Sequence, residues 1–335
     1  MKHFLIPEEG SFYKANLHCH STLSDGRLSP EVIKEKYKAK GYSIVAFTDH
    51  NGLFLHPDLT DDTFLAMNGW EYDVTEKGDA PFPERKTCHF CFVALHEDPK
   101  MVCYDERRVR EELRPLVPVA EGEAGFEREY TPECINHMMQ KGRDAGYFVT
   151  YNHPVWSMED GGEYKAYHGM HAMEICNWGC VWAGWQDYVP GIYDDMLRNG
   201  ERIFCIATDD NHNATPEDNW DSFGGFTVIK AKDLSLPSVA KALKAGEFYA
   251  SEGPSIYSLY MEDGKLHVTT SAAAKVELNT GIRYARSVWM NGTDGEEAVF
   301  DLRPDFRYFR VTVTDREGRH ANSNAYFTDT LKEFL

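Results

Sequence analysis

The sequence predicts an α/β barrel followed by a small all-β unit, and three observations predict it. Apolar runs of strand length recur through residues 11–253, with capped helices between them. His, Asp and Glu residues gather at the C-terminal ends of these runs, the end at which barrels carry their working side chains. After Gly253-Pro254 the pattern changes to short alternating strands separated by turn dipeptides.

Taken in order, FYKANLH is the first strand and ends at His18. Ser29-Pro30-Glu31 then supplies an N-cap, an N1 proline and an acidic first turn for a helix that ends before Gly41. YSIVAFTDH follows as a buried strand, which makes a βαβ beginning. FLAMNGWE, HFCFVAL, YFVTYNHP, MHAMEICN and RIFCIATDD continue the series, with a capped helix from Thr131-Pro132-Glu133 to about Ala145 between two of them. The charged segment 97–125 reads as a helix and a loop over one barrel face. FGGFTVIKA is the last barrel strand and LPSVAKALKAG the closing helix. SIYSLYME, KLHVTTS, KVELNT, SVWMNG, YFRVTVTD and NAYFT are the strands of a sandwich-like unit, punctuated by Asp263-Gly264, Asn291-Gly292 and Glu317-Gly318. The expected division is 1–253 and 254–335.

A chain of 335 residues, 42% hydrophobic, can bury one large core and one small one. No apolar stretch reaches the ~20 residues of a membrane span, and MKHFLIPEEG lacks the apolar core and cleavage site of a signal peptide. A cytoplasmic protein is therefore expected, with its eight cysteines reduced. The formal charge of −19 repels a polyanionic backbone, so no nucleic-acid surface is expected. Cys88 and Cys91 have CxxC spacing, but strand alternation puts them on opposite faces and argues against a shared zinc.

The chemistry concentrates near the start. His18 and His20 stand at i and i+2, where strand alternation points both side chains the same way. Asp25 follows in HSTLSDG, His50 in FTDH, Glu71 in NGWE, His89 in KTCHF, His153 in YNHP, and Asp210 and His212 in TDDNH. A lone histidine is more often a hydrogen-bonded residue than a ligand; an ordered set of six imidazoles and three carboxylates exceeds what one ion needs. Asp49 and Asp209 adjoin these residues, either fixing a histidine tautomer or capping a strand end. Arg27 and Arg143 are candidate anion clamps against a solvated alternative. Glu174 and Asn177 end another strand, facing the cleft or bonding across its rim. Trp178, Trp182 and Trp185 have helical spacing, which suits a core stripe or a stacking wall.

HCHSTLSDG, FTDHN, NGWE, NHP and TDDNH resemble the successive motifs of the PHP (polymerase and histidinol phosphatase) family over residues 11–253, in a branch with a C-terminal β-domain. Where that family has Ser-Asp-x-His, this chain has two aspartates, so Asp210 takes the D-x-H position and Asp209 its neighbour's. The resemblance implies a distorted (β/α)7 barrel and a trinuclear site that hydrolyses phosphate esters. Residue by residue, it implies one ion between His18, His20, Glu71 and Asp210, with Glu71 bridging to a second completed by His89 and His153. Asp25, His50 and His212 would hold the third. Glu71, Asp210 and Arg27 are the implied catalytic residues. A bridging carboxylate brings two cations to ~3.5–4 Å, and a water shared between them becomes a hydroxide nucleophile. Three divalent ions outweigh three carboxylates, so the site would attract a small phosphorylated substrate despite the acidic chain. Zinc, manganese and iron suit the ligand set equally.

Two other functions fit the same residues. A metal-bound hydroxide also cleaves carbamates, esters or amides, although hydrolases of that type commonly bridge their metals with a lysine where this chain offers Glu71. A non-catalytic, metal-stabilised binding module needs only ~4 ligands, fewer than are present. Substrate, oligomeric state and the task of residues 254–335 have no signal in the sequence.

Overall fold

The computed structural model describes residues 2–213 and 220–335. The first half builds strands β1 (His3–Phe4), β2 (Ser11–Asn16), β3 (Ile44–Phe47), β4 (Leu65–Thr75), β5 (Thr87–Ala94), β6 (Tyr147–Asn152), β7 (Ala172–Asn177), β8 (Phe204–Thr208) and β9 (Phe226–Ala231). Helices α1 (Pro30–Ala39), α2 (Pro132–Asp144), α3 (Trp178–Ala183), α4 (Pro190–Asn199) and α5 (Leu236–Ala245) stand among them and after them. Helices α1 and α2 start where expected, with proline in their first turns; Thr131 accepts from the backbone N–H of Cys134, whereas Ser29 stands at the N-cap position of α1 without a side-chain capping bond. Segment 97–125, expected to contain a helix, holds only short 3-10 turns at Glu106–Arg108 and Glu111–Leu116. Pro115 and Pro118 in that stretch deny an α-helix its backbone donors.

Strands β2 to β9 form one continuous sheet in the order β9-β2-β3-β4-β5-β6-β7-β8, and no ladder joins β8 to β9. The two ends meet instead through the Thr227 hydroxyl, which donates to the Ala207 carbonyl at 3.0 Å. The fold is thus α/β with an unclosed sheet, and the strict β/α alternation expected of a (β/α)7 barrel is broken. β5 runs antiparallel to both β4 and β6, and β9 antiparallel to β2. The link 76–86 between β4 and β5 carries only a 3-10 turn around Pro81 and Pro83, too short for the crossover that a parallel pair requires.

Beyond the closing helix come β10 (Phe248–Ser251), β11 (Ile256–Glu262), β12 (Lys265–Thr270), β13 (Lys275–Thr280), β14 (Ala285–Trp289), β15 (Glu296–Asp301), β16 (Tyr308–Thr314), β17 (His320–Ser323) and β18 (Tyr326–Phe327). The large sheet continues across residue 253, because β10 pairs with β9 on one side and β17 on the other. A second, four-stranded sheet has the order β1-β11-β12-β15, so the N-terminal strand joins the C-terminal strands. Alternating residues of β11, β12, β13 and β16, among them Leu259, Leu266, Val276 and Val311, bury one core between these layers. Another core cluster is strongly aromatic, built on Trp70, Tyr72, Phe92 and Tyr147, and Tyr308 and Ala325 of the C-terminal segment pack into it.

Candidate metal centre

All nine candidate ligands converge at one edge of the sheet. β2, β4, β6 and β8 deliver His18, Glu71, His153 and Asp210 at or beyond their C-terminal halves. His89 lies near the start of its strand, and the antiparallel course of β5 explains how it reaches the same edge: it pairs across from Asp73 and Asn152. Isolated bridges between Cys19 and Asn211 and between His50 and Glu71 extend the ladders into the loops that carry the remaining ligands.

Four ligand atoms form the tightest group. His18 Nε2 lies 3.2 Å from Glu71 Oε1 and 3.1 Å from Asp210 Oδ1, while His20 Nε2 lies 3.3 Å from Glu71 Oε2 and 3.1 Å from the same Asp210 oxygen. The two imidazole Nε2 atoms are themselves 3.1 Å apart. Ligands at ~2.0–2.2 Å from one cation stand about 3.3–3.6 Å apart in a tetrahedron and about 2.8–3.1 Å apart along an octahedral edge, so these spacings fall in the range that a shared ion sets. His18 Nδ1 is 2.8 Å from Glu174 Oε1, which leaves Nε2 to point its lone pair inward.

A second group, His20, Asp25, His50 and His212, adjoins the first. His50 Nε2 is 3.7 Å and His212 Nε2 3.5 Å from Asp25 Oδ2, and His212 Nδ1 is 3.0 Å from the Asp210 carbonyl, an acceptor that again frees Nε2. His50 also turns Nδ1 to Glu71 Oε2 at 3.2 Å, and His89 Nδ1 is 3.1 Å from Glu71 Oε1. The third cluster therefore pairs His89 with His50 and Glu71, whereas His153 is grouped with His18 and Glu174. His153 Nε2 still approaches Glu71 Oε1 at 3.4 Å. Glu71 belongs to two of these groups, and both of its oxygens face imidazoles.

Buried polar atoms here lack the partners that a finished hydrogen-bond network would supply. Among the described residues, His50 Nδ1, His89 Nε2 and Asp210 Oδ1 make no hydrogen bond although each is enclosed. Cations would satisfy the two that face the cluster, His50 Nδ1 and Asp210 Oδ1. Burial disfavours charge on Glu71, but His18, His89 and His50 outweigh it and hold its carboxyl well below the ordinary range. The balance at His18 runs likewise: burial opposes the imidazolium, and Asp210 and Glu71 among its neighbours raise it well above the usual value. Burial and the adjoining His20 push His50 the other way, to about 4. The carboxylates stabilise positive charge at the cluster, whether on an imidazole or on a bound cation, and its donor set suits divalent cations.

Backbone strain marks the same place. His153 and Asp210 have φ of 26° and 52°, the left-handed region that non-glycine residues seldom enter. Surrounding bonds hold them there: the His153 N–H donates to Glu174 Oε2 at 3.0 Å and the Asp210 N–H to the His18 carbonyl at 3.0 Å.

The neighbouring aspartates do not touch the imidazoles. Asp49 accepts from the Ser21 N–H at 2.8 Å and the Ser24 hydroxyl at 2.7 Å, fixing the loop that carries Asp25. Asp209 accepts from the N–H groups of Phe223, Gly224 and Gly225, so it caps the turn into β9, and burial raises its carboxyl to about 6. Arg143 donates to the Met170 carbonyl at 3.1 Å, away from the cluster, and is not a clamp. Arg27 is exposed and lines the cleft above the ligands. Cys88 and Cys91 do face apart: Cys88 packs in the aromatic core, and Cys91 Sγ accepts from Asn152 at 3.1 Å. All eight cysteines are free thiols. The tryptophan stripe is not core, since Trp182 and Trp185 are 53% and 43% exposed.

Several contributors had little sequence signal. Asn152, next to His153, donates to Glu71 Oε1 at 3.0 Å. Buried Asp187 accepts from the Val155 and Trp156 N–H groups, pinning the turn after His153 from more than thirty residues away. Arg108 and Arg110 reach the cleft from segment 97–125. The cleft has a volume of about 810 Å³, within the range of small-molecule sites.

No family model matches the chain, and no curated protein matches it in sequence. Among solved structures it is similar to a two-domain protein from Bacteroides vulgatus containing a predicted PHP-like metal-dependent phosphoesterase, at 13% identity and a TM-score of 0.48 over 97% of each chain. It is also similar to a candidate metal-dependent phosphoesterase from Bifidobacterium adolescentis, at 12% identity and a TM-score of 0.33, over 62% of this chain and 89% of that one. Both superpositions are loose, and the candidate metal centre rests on its own side chains, which could hold a cation. No helix among the described residues is long and apolar enough to cross a membrane.

Proposed function

We propose that this protein is a metal-dependent hydrolase of small phosphate monoesters, of the PHP type with a C-terminal β-extension. The observation that carries this reading is the convergence on Glu71: His18, His20, His50, His89 and His153 all stand within 3.4 Å of its two carboxylate oxygens, at the floor of the cleft. One carboxylate facing so many imidazoles suits a bridge between cations better than a single closed structural site. His18, His20, Glu71 and Asp210 would hold one divalent ion, and Asp25, His50 and His212 another. His89 and His153 with Glu71 would complete the set at two or three ions of zinc, manganese or iron. When bound, such ions acidify a shared water and neutralise phosphoryl oxygens.

The chain's own residues do the rest. Glu174 orients His18, Asn152 holds one Glu71 oxygen, and Asp49 fixes the loop of Asp25 through Ser24. Arg27 stands at the mouth to receive a phosphoryl oxygen. A monoester dianion can engage a crowded cationic floor with several oxygens, whereas a diester has one negative charge and a second bulky arm. Every proposed ligand lies within residues 1–253, and 254–335 serves as an accessory unit.

Phosphate release from paired mono- and diesters, with added manganese, tests this directly. Monoesters should show the higher kcat/KM, with inhibition by inorganic phosphate. Efficient cleavage of a carbamate or amide with no phosphate ester hydrolysed would replace this reading by the other hydrolase, and metal binding without any hydrolysis would favour the binding module.

A further inference from the structure

Beside polar groups that include Arg27, Asn51, Asp73, Arg108 and Arg110, the cleft above the ligands carries a set of aromatic and apolar side chains. Trp156 stands edge-on to both His89 and His153, with ring centroids 5.2 and 5.0 Å away, and its backbone N–H donates to Asp187. Across the lining are Trp220, Phe82, Val109 and Leu23. A pocket for a wholly polar leaving group would present hydrogen-bonding side chains in these places.

Trp220 is held by a dedicated support. Its ring stacks on Trp182 at 4.3 Å with an interplanar angle of 22°, and its carbonyl accepts from Trp178 Nε1 at 3.0 Å. Trp178 in turn occupies space that only glycine leaves: a Cβ on Gly224 would fall 2.0 Å from the Trp178 ring. On α3, Gly179, Cys180 and Ala183 face the cleft, so the small side of the helix lines the cavity while Trp182 buttresses Trp220 from its solvent-exposed position. Two indoles and two small-residue stretches therefore support one flat ring at the edge of the cleft.

We infer that this wall is a ring-binding subsite: the substrate is a monoester whose leaving alcohol carries a flat aromatic ring, stacked against Trp220 and flanked by Trp156. The inference rests on the phosphoesterase reading for the reaction, while the ring site is testable by binding alone. Indole faces bind flat rings by offset stacking and by removing both surfaces from water.

The test compares benzyl phosphate with propyl phosphate, whose leaving alcohols have similar basicity, on the full chain with manganese. Benzyl phosphate should have the higher kcat/KM by roughly tenfold, and Trp220→Ala should bring the ratio toward one. Trp289→Ala, at an exposed position on β14, is the control and should leave the ratio unchanged. Benzylphosphonate, which is not hydrolysed, should quench tryptophan fluorescence in the wild type and much less in Trp220→Ala. Equal rates for both esters, with quenching absent or insensitive to Trp220→Ala, would overturn the ring subsite and leave the phosphoesterase reading intact. Quenching that depends on Trp220, with neither ester hydrolysed, would support the subsite and remove the phosphoesterase reading.

Discussion

The Nδ1 atom of His18 lies 2.8 Å from Oε1 of Glu174, and that one carboxylate also accepts from the Thr208 hydroxyl, the His153 N–H and Asn177 Nδ2. It ties β7 to β2, β6 and β8 at the point where three strands present ligands. Glu174→Ala would remove the acceptor shared by these four buried donors, of which Asn177 keeps a bond to Asp210, and should cost about 3–5 kcal/mol, read by denaturant unfolding. Glu174→Gln keeps the shape but weakens the hold on His18, and should lower metal affinity by about 10–100-fold in a zinc or manganese titration. Unchanged affinity in a folded Glu174→Gln protein would remove Glu174 from the support of the site.

Arg27 and Arg143 separate a cleft role from a structural one. Arg27→Ala should lower kcat/KM for a phosphate monoester by roughly tenfold, because a charge-assisted contact to the substrate is lost. Arg143→Ala should leave the rate alone, since its guanidinium bonds the backbone at Met170. Equal effects of the two substitutions would deny Arg27 its role.

Glu159 gives a pH signature outside the metal cluster. Hydroxyls of Tyr130, Tyr151 and Tyr167 surround it, yet burial raises its carboxyl to about 7 from an ordinary 4.5. Between those values the fold keeps a proton that the unfolded chain has lost, so its contribution is full below about pH 4.5 and declines as pH rises to about 7. The decline should amount to about 3 kcal/mol. Glu159→Gln lacks this step, so wild-type stability relative to the variant should fall across that window in urea titrations. Parallel curves for the two proteins would contradict the raised carboxyl.

Gly225 is close to the turn that Asp209 caps, and a Cβ there would meet the Thr208 carbonyl oxygen at 2.2 Å. Neither group is a flexible side chain, so Gly225→Ala should destabilise by about 1–3 kcal/mol through backbone displacement. Thermal unfolding checks this; an unchanged midpoint would mean that β8 and β9 separate freely.

Much of the centre was legible because strand alternation and strand ends are local properties. His18, His20, Asp210 and His212 share short motifs, and their convergence follows once two strand ends are adjacent. His89 broke the rule in sequence and obeyed it in space, because only the antiparallel pairing of β5 reveals that its strand starts at the ligand edge. Asp187 and Arg108 were invisible, since each acts from a loop whose path depends on tertiary packing. The unclosed sheet was likewise unreadable: the β8 and β9 sequences are both good strands, and what they lack is a ladder between them. The exposure of Trp182 and Trp185 also escaped the helical spacing, because a six-residue helix at a cleft edge has no second layer to cover it.

The central claim is that Glu71 joins more than one cation, and metal stoichiometry tests it most directly. Elemental analysis of protein purified without chelator, then saturated with manganese or zinc, should find two or three divalent ions per chain. Glu71→Gln, which keeps the shape but loses the negative charge, should drop at least one ion and most of the turnover. A wild-type content that stays at one ion or none, or a Glu71→Gln protein with undiminished metal and rate, would contradict the account.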